Sequence, residues 1–152
     1  MIRDMEEKDI PYLIDLGYKL HQEGNFKNLE YDREKCKKLG NILLTNPKFK
    51  CFVSEDKKGY IGMMMGYIST YIFSNQTYAS DLLLYISPKR RGGLSAARLI
   101  KAFEKWAESN GAKEIRNGSM NGINSYLTKR LYERLKYEIT GHTFKKILGG
   151  NK

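Results

Sequence analysis

Cysteine and histidine are scarce in this 152-residue chain, and long apolar runs are missing altogether. Each absence excludes a class of protein. Cys36 and Cys51 are too few for a disulfide framework and form no C-x-x-C pair, so reduced thiols are expected. The two histidines, His21 and His142, stand far apart, and no cluster offers the roughly four N, S or O ligands of a zinc site. A bound metal is not expected. No window approaches the ~18 uncharged apolar residues of a membrane span. The opening "MIRDMEEKDI" is charged from its third residue and holds no apolar signal region. A cytoplasmic location without membrane association is the expectation. With no internal repeat, low-complexity tract or Pro/Ser linker, residues 1–152 read as a single domain large enough to bury a normal core.

What the chain does have is basic charge. Lysine and arginine number 27 against 17 acidic residues, a net +10. Such a field attracts anionic partners: nucleic acid, an anionic surface or a phosphate-bearing cofactor. It also serves simply as a solubilising surface, and charge alone does not separate these. "KCKKLG" and "TKRLYERLK" suit a basic nucleic-acid-binding module, but no helix-turn-helix, zinc-finger or RRM motif accompanies them. That reading ranks behind the others.

The apolar periodicity alternates between strand and helix. "MIRDM" reads as a short strand. "DIPYLIDLGYKLHQEG" reads as a helix capped by Asp9, with Ile10, Leu13, Ile14 and Gly17 on one face. "YDREKCKKLGNILLTNP" is a second helix, capped by Asp32. "FKCFVSEDKKGYIGMMMGYISTYIF" reads as a hairpin turning through Glu55 to Gly59, with Met63, Met64 and Met65 as strand core. Residues 78–86 form a strand in which Leu82 to Ile86 are apolar without alternation, which implies helix layers above and below. Ala96, Leu99, Ile100, Phe103 and Ala107 recur at helical spacing until Gly111. "AKEIRNGS" is a short strand, "NSYLTKRLYERLKYE" a final helix, and "YEITGHTFKKIL" strand-like. The order predicts an α/β sandwich around a mixed sheet.

One junction stands out. "LLLYISPKRRGGLSAARLI" carries Arg90, Arg91, Gly92 and Gly93 between a buried strand and a helix. Two glycines let backbone approach a ligand closely. The helix's first N–H groups lack internal partners and favour anions. Arginine adds bidentate donors for phosphate oxygens. A tight loop with solvated cations is the plainer alternative. The turn is neither a G-x-x-x-x-G-K-[ST] P-loop nor a dinucleotide G-x-G-x-x-G.

"SPKRRGGLSAARLI" resembles the acyl-CoA-binding motif of the GNAT N-acetyltransferase superfamily, [Q/R]-x-x-G-x-[G/A] after a strand, with Ser95 at the place of the last Gly or Ala. "NSYLTKRLYERLKYE" resembles the family's late motif at Leu131, Tyr132, Glu133, Leu135 and Tyr137. Lys136 replaces the family's glycine, and Asn124 sits one position early, with Ser125 in register. The element order is similar from residue 2 to about 148. The "RRGG" form also resembles acetyltransferases encoded by bacteriophages. The resemblance implies a three-layer sandwich, a mixed, mostly antiparallel sheet with helices on both faces.

It further implies acetyl-CoA as acyl donor and direct transfer to a primary amine. The pantetheine would lie along Leu84, Tyr85 and Ile86. The pyrophosphate would lie on Arg90, Arg91, Gly92, Gly93, Leu94, Ser95 and Ala96, with Asn124 and Ser125 nearby. Tyr132 matches the family's tyrosine acid, whose reference pKa of ~10 lies near the ~8.5 of a simple thiol. Asp81, alternating with Leu83 and Tyr85, is the candidate base, with a capping role or a water relay as alternatives. Residues 22–31, with Glu23, Phe26, Glu30 and Tyr31, would border the pocket of an amine-bearing acceptor, small molecule or protein. His21 either lines that pocket or is a surface residue. Family members are often dimers, so a homodimer is one expectation. A GNAT-like protein that has lost catalysis and serves in binding or structure is the alternative function.

Overall fold

The computed structural model describes residues 1–118 and 122–149. Five strands form one sheet, ordered as in the chain: β1 (Ile2–Asp4), β2 (Phe49–Asp56), β3 (Gly59–Thr70), β4 (Thr77–Ile86) and β5 (Ile115–Arg116). The first four are antiparallel, and β5 runs parallel to β4. Helices α1 (Ile10–Glu23) and α2 (Arg33–Thr45) supply Leu13, Leu16 and Leu43 to one core, against Val53, Met63 and Tyr85. Helices α3 (Ser95–Ser109) and α4 (Ser125–Arg134) supply Leu99, Phe103 and Tyr132 to a second, against Phe52, Met64 and Ala79. The two cores lie on opposite faces, so the sheet is sandwiched between helix layers, as the both-sided apolarity of residues 82–86 requires.

Local chemistry explains most of the boundaries. The hairpin closes with Asp56 opposite Gly59, whose φ of +105° suits glycine. Asp32 caps α2 by accepting from the Lys35 N–H at 3.0 Å. Asp9, expected to cap α1, makes no such bond. It is fully buried and holds the Arg3 guanidinium by two bonds of 2.7 and 2.9 Å, while the Tyr60 hydroxyl and the Glu6 N–H also donate to it. A buried carboxylate needs a cation more than a helix end needs a cap.

Two features of β4 shape the cavity beside it. Its pairing with β5 is limited to Ala79–Ile115 and Ser80–Arg116, so from Asp81 onward no described strand lies beside it on that side. The register with β3 also shifts: Gly66 faces Asp81 but Met65 faces Leu83, which leaves Leu82 as an inserted residue. The insertion reverses the alternation, and this corrects the expectation that Asp81 shares a side with Leu83 and Tyr85. Leu83 and Tyr85 pack with α1 and α2, whereas Asp81 follows Ala79 toward α3 and α4.

A second correction concerns the C-terminus. Residues 137–148 form no strand, although their pattern suggests one. β5 offers only two residues of ladder. With no neighbour to cover them, Ile139, Phe144, Ile147 and Leu148 stay exposed.

Candidate active site

A cavity of about 1070 Å³ opens where the end of β4 meets α1, α4 and the start of α3. Of the residues singled out in the sequence, Leu84, Tyr85 and Ile86 line it from β4. Arg90 to Gly93 line it from the turn, Ser95 and Ala96 from the first turn of α3, and Asn124 from the start of α4. Asp81 lines it as well. Leu94, Ser125 and Tyr132 are not among the lining residues.

The turn is built as a platform. Pro88 to Arg90 form a 3₁₀ turn, anchored by the Ser87 N–H donating to the Ile61 carbonyl at 2.9 Å. Gly92 then adopts φ +89°, and a Cβ at Gly92 or Gly93 would meet nothing within 4 Å. The space before this backbone is therefore open. No side chain caps α3, so its first N–H groups face that space uncapped.

The two arginines are already paired. Arg90 bonds Asp56. Arg91 grips Glu23 at the end of α1 through both nitrogens, at 2.5 and 3.0 Å, and its Nε donates to the Ile86 carbonyl at 3.0 Å. The Tyr85 hydroxyl donates to the same Glu23 carboxylate at 2.8 Å. Arg91 and Tyr85 together hold the Glu23 carboxyl below the usual carboxylate range. An incoming phosphate must compete with Glu23 for Arg91. Half-exposed pairs of this kind are worth at most about 1 kcal/mol. Glu23→Gln is accordingly expected to tighten CoA binding by up to about fivefold, measured by titration calorimetry.

Behind the turn lies a second polar group. Burial pushes the Asp81 carboxyl up to about 6, against the pull of the Gly118 N–H, which donates to it at 3.0 Å. The Tyr132 hydroxyl is buried without a partner. Burial first, and the nearby Asp81 charge second, raise its phenol above the usual range, so it stays protonated at neutral pH. Its ring stands edge-on to Tyr137, centroids 5.0 Å apart. This contact belongs to the helix end: the Tyr137 N–H donates to the Tyr132 carbonyl, and the Lys136 N–H to that of Glu133. That is a Schellman ending, and it places Lys136 at φ +69°. The glycine preference of the resembled motif thereby has its cause, and here lysine accepts the strain.

Several lining residues are hidden or undervalued in the sequence. His21 lines the cavity with its Nε2 buried and unpartnered, where a surface position was the alternative. Tyr31 lies against Gly17, its hydroxyl donating to the Ile14 carbonyl at 2.7 Å, and a Cβ at Gly17 would come within 2.7 Å of it. Gly24, Phe26 and Tyr31 line the cavity from the segment between the helices; Glu30 does not. Among the described residues no group of three His, Cys, Asp or Glu could hold a metal ion. No described helix is long and apolar enough to cross a membrane.

No family model and no curated protein matches the sequence. Solved structures do. The aminoglycoside acetyltransferase AAC(6')-Iy, in complex with the bisubstrate analogue CoA-S-monomethyl-acetylneamine, aligns over 97% of this chain and 96% of its own, with a TM-score of 0.79 and 16% identity. A predicted acetyltransferase from Clostridium acetobutylicum, solved with acetyl-CoA, aligns over 97% and 96%, with a TM-score of 0.76 and 15% identity. A GNAT family acetyltransferase from Staphylococcus aureus aligns over 97% and 98%, with a TM-score of 0.69 and 18% identity. The chain has the fold of these acetyltransferases, and identities this low speak to fold alone.

Proposed function

We propose that this protein is an acetyl-CoA-dependent N-acetyltransferase that moves an acetyl group directly onto a primary amine. The observation that carries the reading is the cavity at the unpaired end of β4, whose wall combines the open Gly92–Gly93 turn with Asp81. Similar structures with CoA or acetyl-CoA bound support the same donor. The residues fit it. The strand edge past Asp81 offers backbone groups for pantetheine. The turn and the uncapped start of α3 suit a pyrophosphate.

When bound, the donor supplies a thioester carbonyl as electrophile. An amine arriving as ammonium must first lose a proton. Asp81, with its pKa near 6, is largely ionised at neutral pH and takes that proton directly or through water. The amine nitrogen then forms the C–N bond at the carbonyl carbon and gives its second proton to water while the C–S bond breaks. Tyr132, whose buried hydroxyl lies near Asp81 but does not line the cavity, donates its proton to the departing sulfur through an intervening water and regains one from Asp81 or water. The products are the amide, the free thiol and one released proton.

Acetyl-CoA at a hundredfold excess over its Kd is expected to stabilise the protein by about 2.7 kcal/mol. Gly93→Val should leave the ligand-free melting temperature nearly unchanged, since its side chain enters open space. It should abolish most of the acetyl-CoA shift by blocking backbone approach. A wild-type melting temperature unmoved by saturating acetyl-CoA overturns the reading.

A further inference from the structure

We propose that the acceptor is a monoamine on an apolar body, seated in the arm of the cavity roofed by α1 and α2, and not a polycation. The proposal rests on the transfer reading for the reaction and on the cavity lining for the substrate class.

The cavity does not end at the phosphate turn. It continues beneath α1 and α2 along Leu13, Leu20, Leu39, Met63 and Phe49. Phe26 stands at its rim, 43% exposed, with the Lys145 ammonium 5.9 Å from the ring centre. A mostly apolar wall with a few convergent polar groups is the usual form of a small-molecule site. The unpartnered Nε2 of His21 is one polar atom that this arm offers.

Charge decides between apolar and polycationic acceptors. Among the described lining residues Asp81 is the only carboxylate; Arg90 and Arg91 already hold Asp56 and Glu23, and Arg134 adds a further cation. Glu23, beside the cavity, is already held by Arg91 and Tyr85. A polyamine or an aminoglycoside would bring several charges into a cavity whose described lining offers one carboxylate, Asp81. Each extra charge would lose water without gaining a partner. A monoamine brings one charge and gives it up before the amide forms. The apolar remainder gains from leaving water.

The test is titration calorimetry of 2-phenylethylamine, spermidine and neamine into the CoA-saturated and the cofactor-free protein, with acetyl-CoA titrated in parallel. At 150 mM salt 2-phenylethylamine is expected to bind at least tenfold more tightly than either polycation. Phe26→Ala should weaken 2-phenylethylamine by about tenfold, the ratio expected from uncovering an aromatic contact. Phe26→Asp should shift the preference toward spermidine. Phe26 is a rim residue, so both variants are expected to fold with the wild-type circular dichroism spectrum. Equal or tighter binding of a polycation, or no binding of 2-phenylethylamine, overturns the proposal. Acetyl-CoA binding with the amine order reversed overturns the acceptor assignment alone. Failure of acetyl-CoA to bind, with 2-phenylethylamine still seated, overturns the transfer reading alone.

Discussion

Tyr132→Phe is expected to lower kcat by 10²- to 10⁴-fold, the usual worth of a positioned general acid, while CoA affinity stays within a few-fold. The protein should become slightly more stable at the same time. The ring keeps its place against Tyr137 and the α3 core, and the only atom removed is a buried hydroxyl without a partner. Relieving an unsatisfied group of this kind is worth about 1 kcal/mol. A residue that only packs gives the opposite pattern, with activity kept. The loss should shrink with a donor whose leaving thiol is more acidic, because a better leaving group needs its proton less. Steady-state kinetics with acetyl-CoA and such an analogue, beside thermal melts of both proteins, check the pair of effects. A variant that turns over at the wild-type rate assigns the proton to water or another group.

Asp81→Asn should show the same opposition with a different pH signature. The carboxyl is raised from its ordinary 3.8 to about 6, mainly by burial. A rise of that size corresponds to about 3 kcal/mol of cost for holding the charged form in the fold. That cost is absent below pH ~4, where the group is protonated folded and unfolded. It grows as pH rises from ~4 to ~6 and is complete above. The amide, which can still accept from the Gly118 N–H, should therefore stabilise the protein by about 2–3 kcal/mol at pH ~7 and by almost nothing at pH ~3.5. Activity should fall by at least 10²-fold, and the wild-type rise of kcat/KM through pH ~6 should vanish. Equal stability gains at both pH values would refute burial as the cause. A surviving limb near that pH would move the base elsewhere.

Much of the architecture was legible because its signals are local. Asp32 before α2, Gly59 at the hairpin and the both-sided apolarity of residues 82–86 each identify an element from a few neighbouring residues. The turn from Arg90 to Gly93, which lines the cavity, was legible as a distinct junction for the same reason. What the sequence hid depends on distant partners. Nothing near Asp9 reveals that Arg3 and Tyr60 will claim its carboxylate. Nothing in "KRRGG" reveals Glu23, 68 positions earlier, on Arg91. The strand pattern of residues 137–148 is real, but a strand needs an edge to join, and β5 is two residues long. Counting in twos puts Asp81 on the face of Leu83 and Tyr85, and one inserted residue defeats such counting.

That inserted residue, Leu82, lets a single strand line one cavity with side chains from both of its faces. Asp81 stands with Tyr132 on the α3/α4 side, and Tyr85 stands with α1 on the other. On the proposed reading, proton handling and acceptor choice draw on opposite faces of one strand that meet in the same cavity. Such a partition allows the acceptor to drift, residue by residue along α1 and α2, while the chemistry stays intact. In a fold spread among acetyltransferases only 15–18% identical to this chain, a one-residue offset of this kind is a plain physical route to diversification.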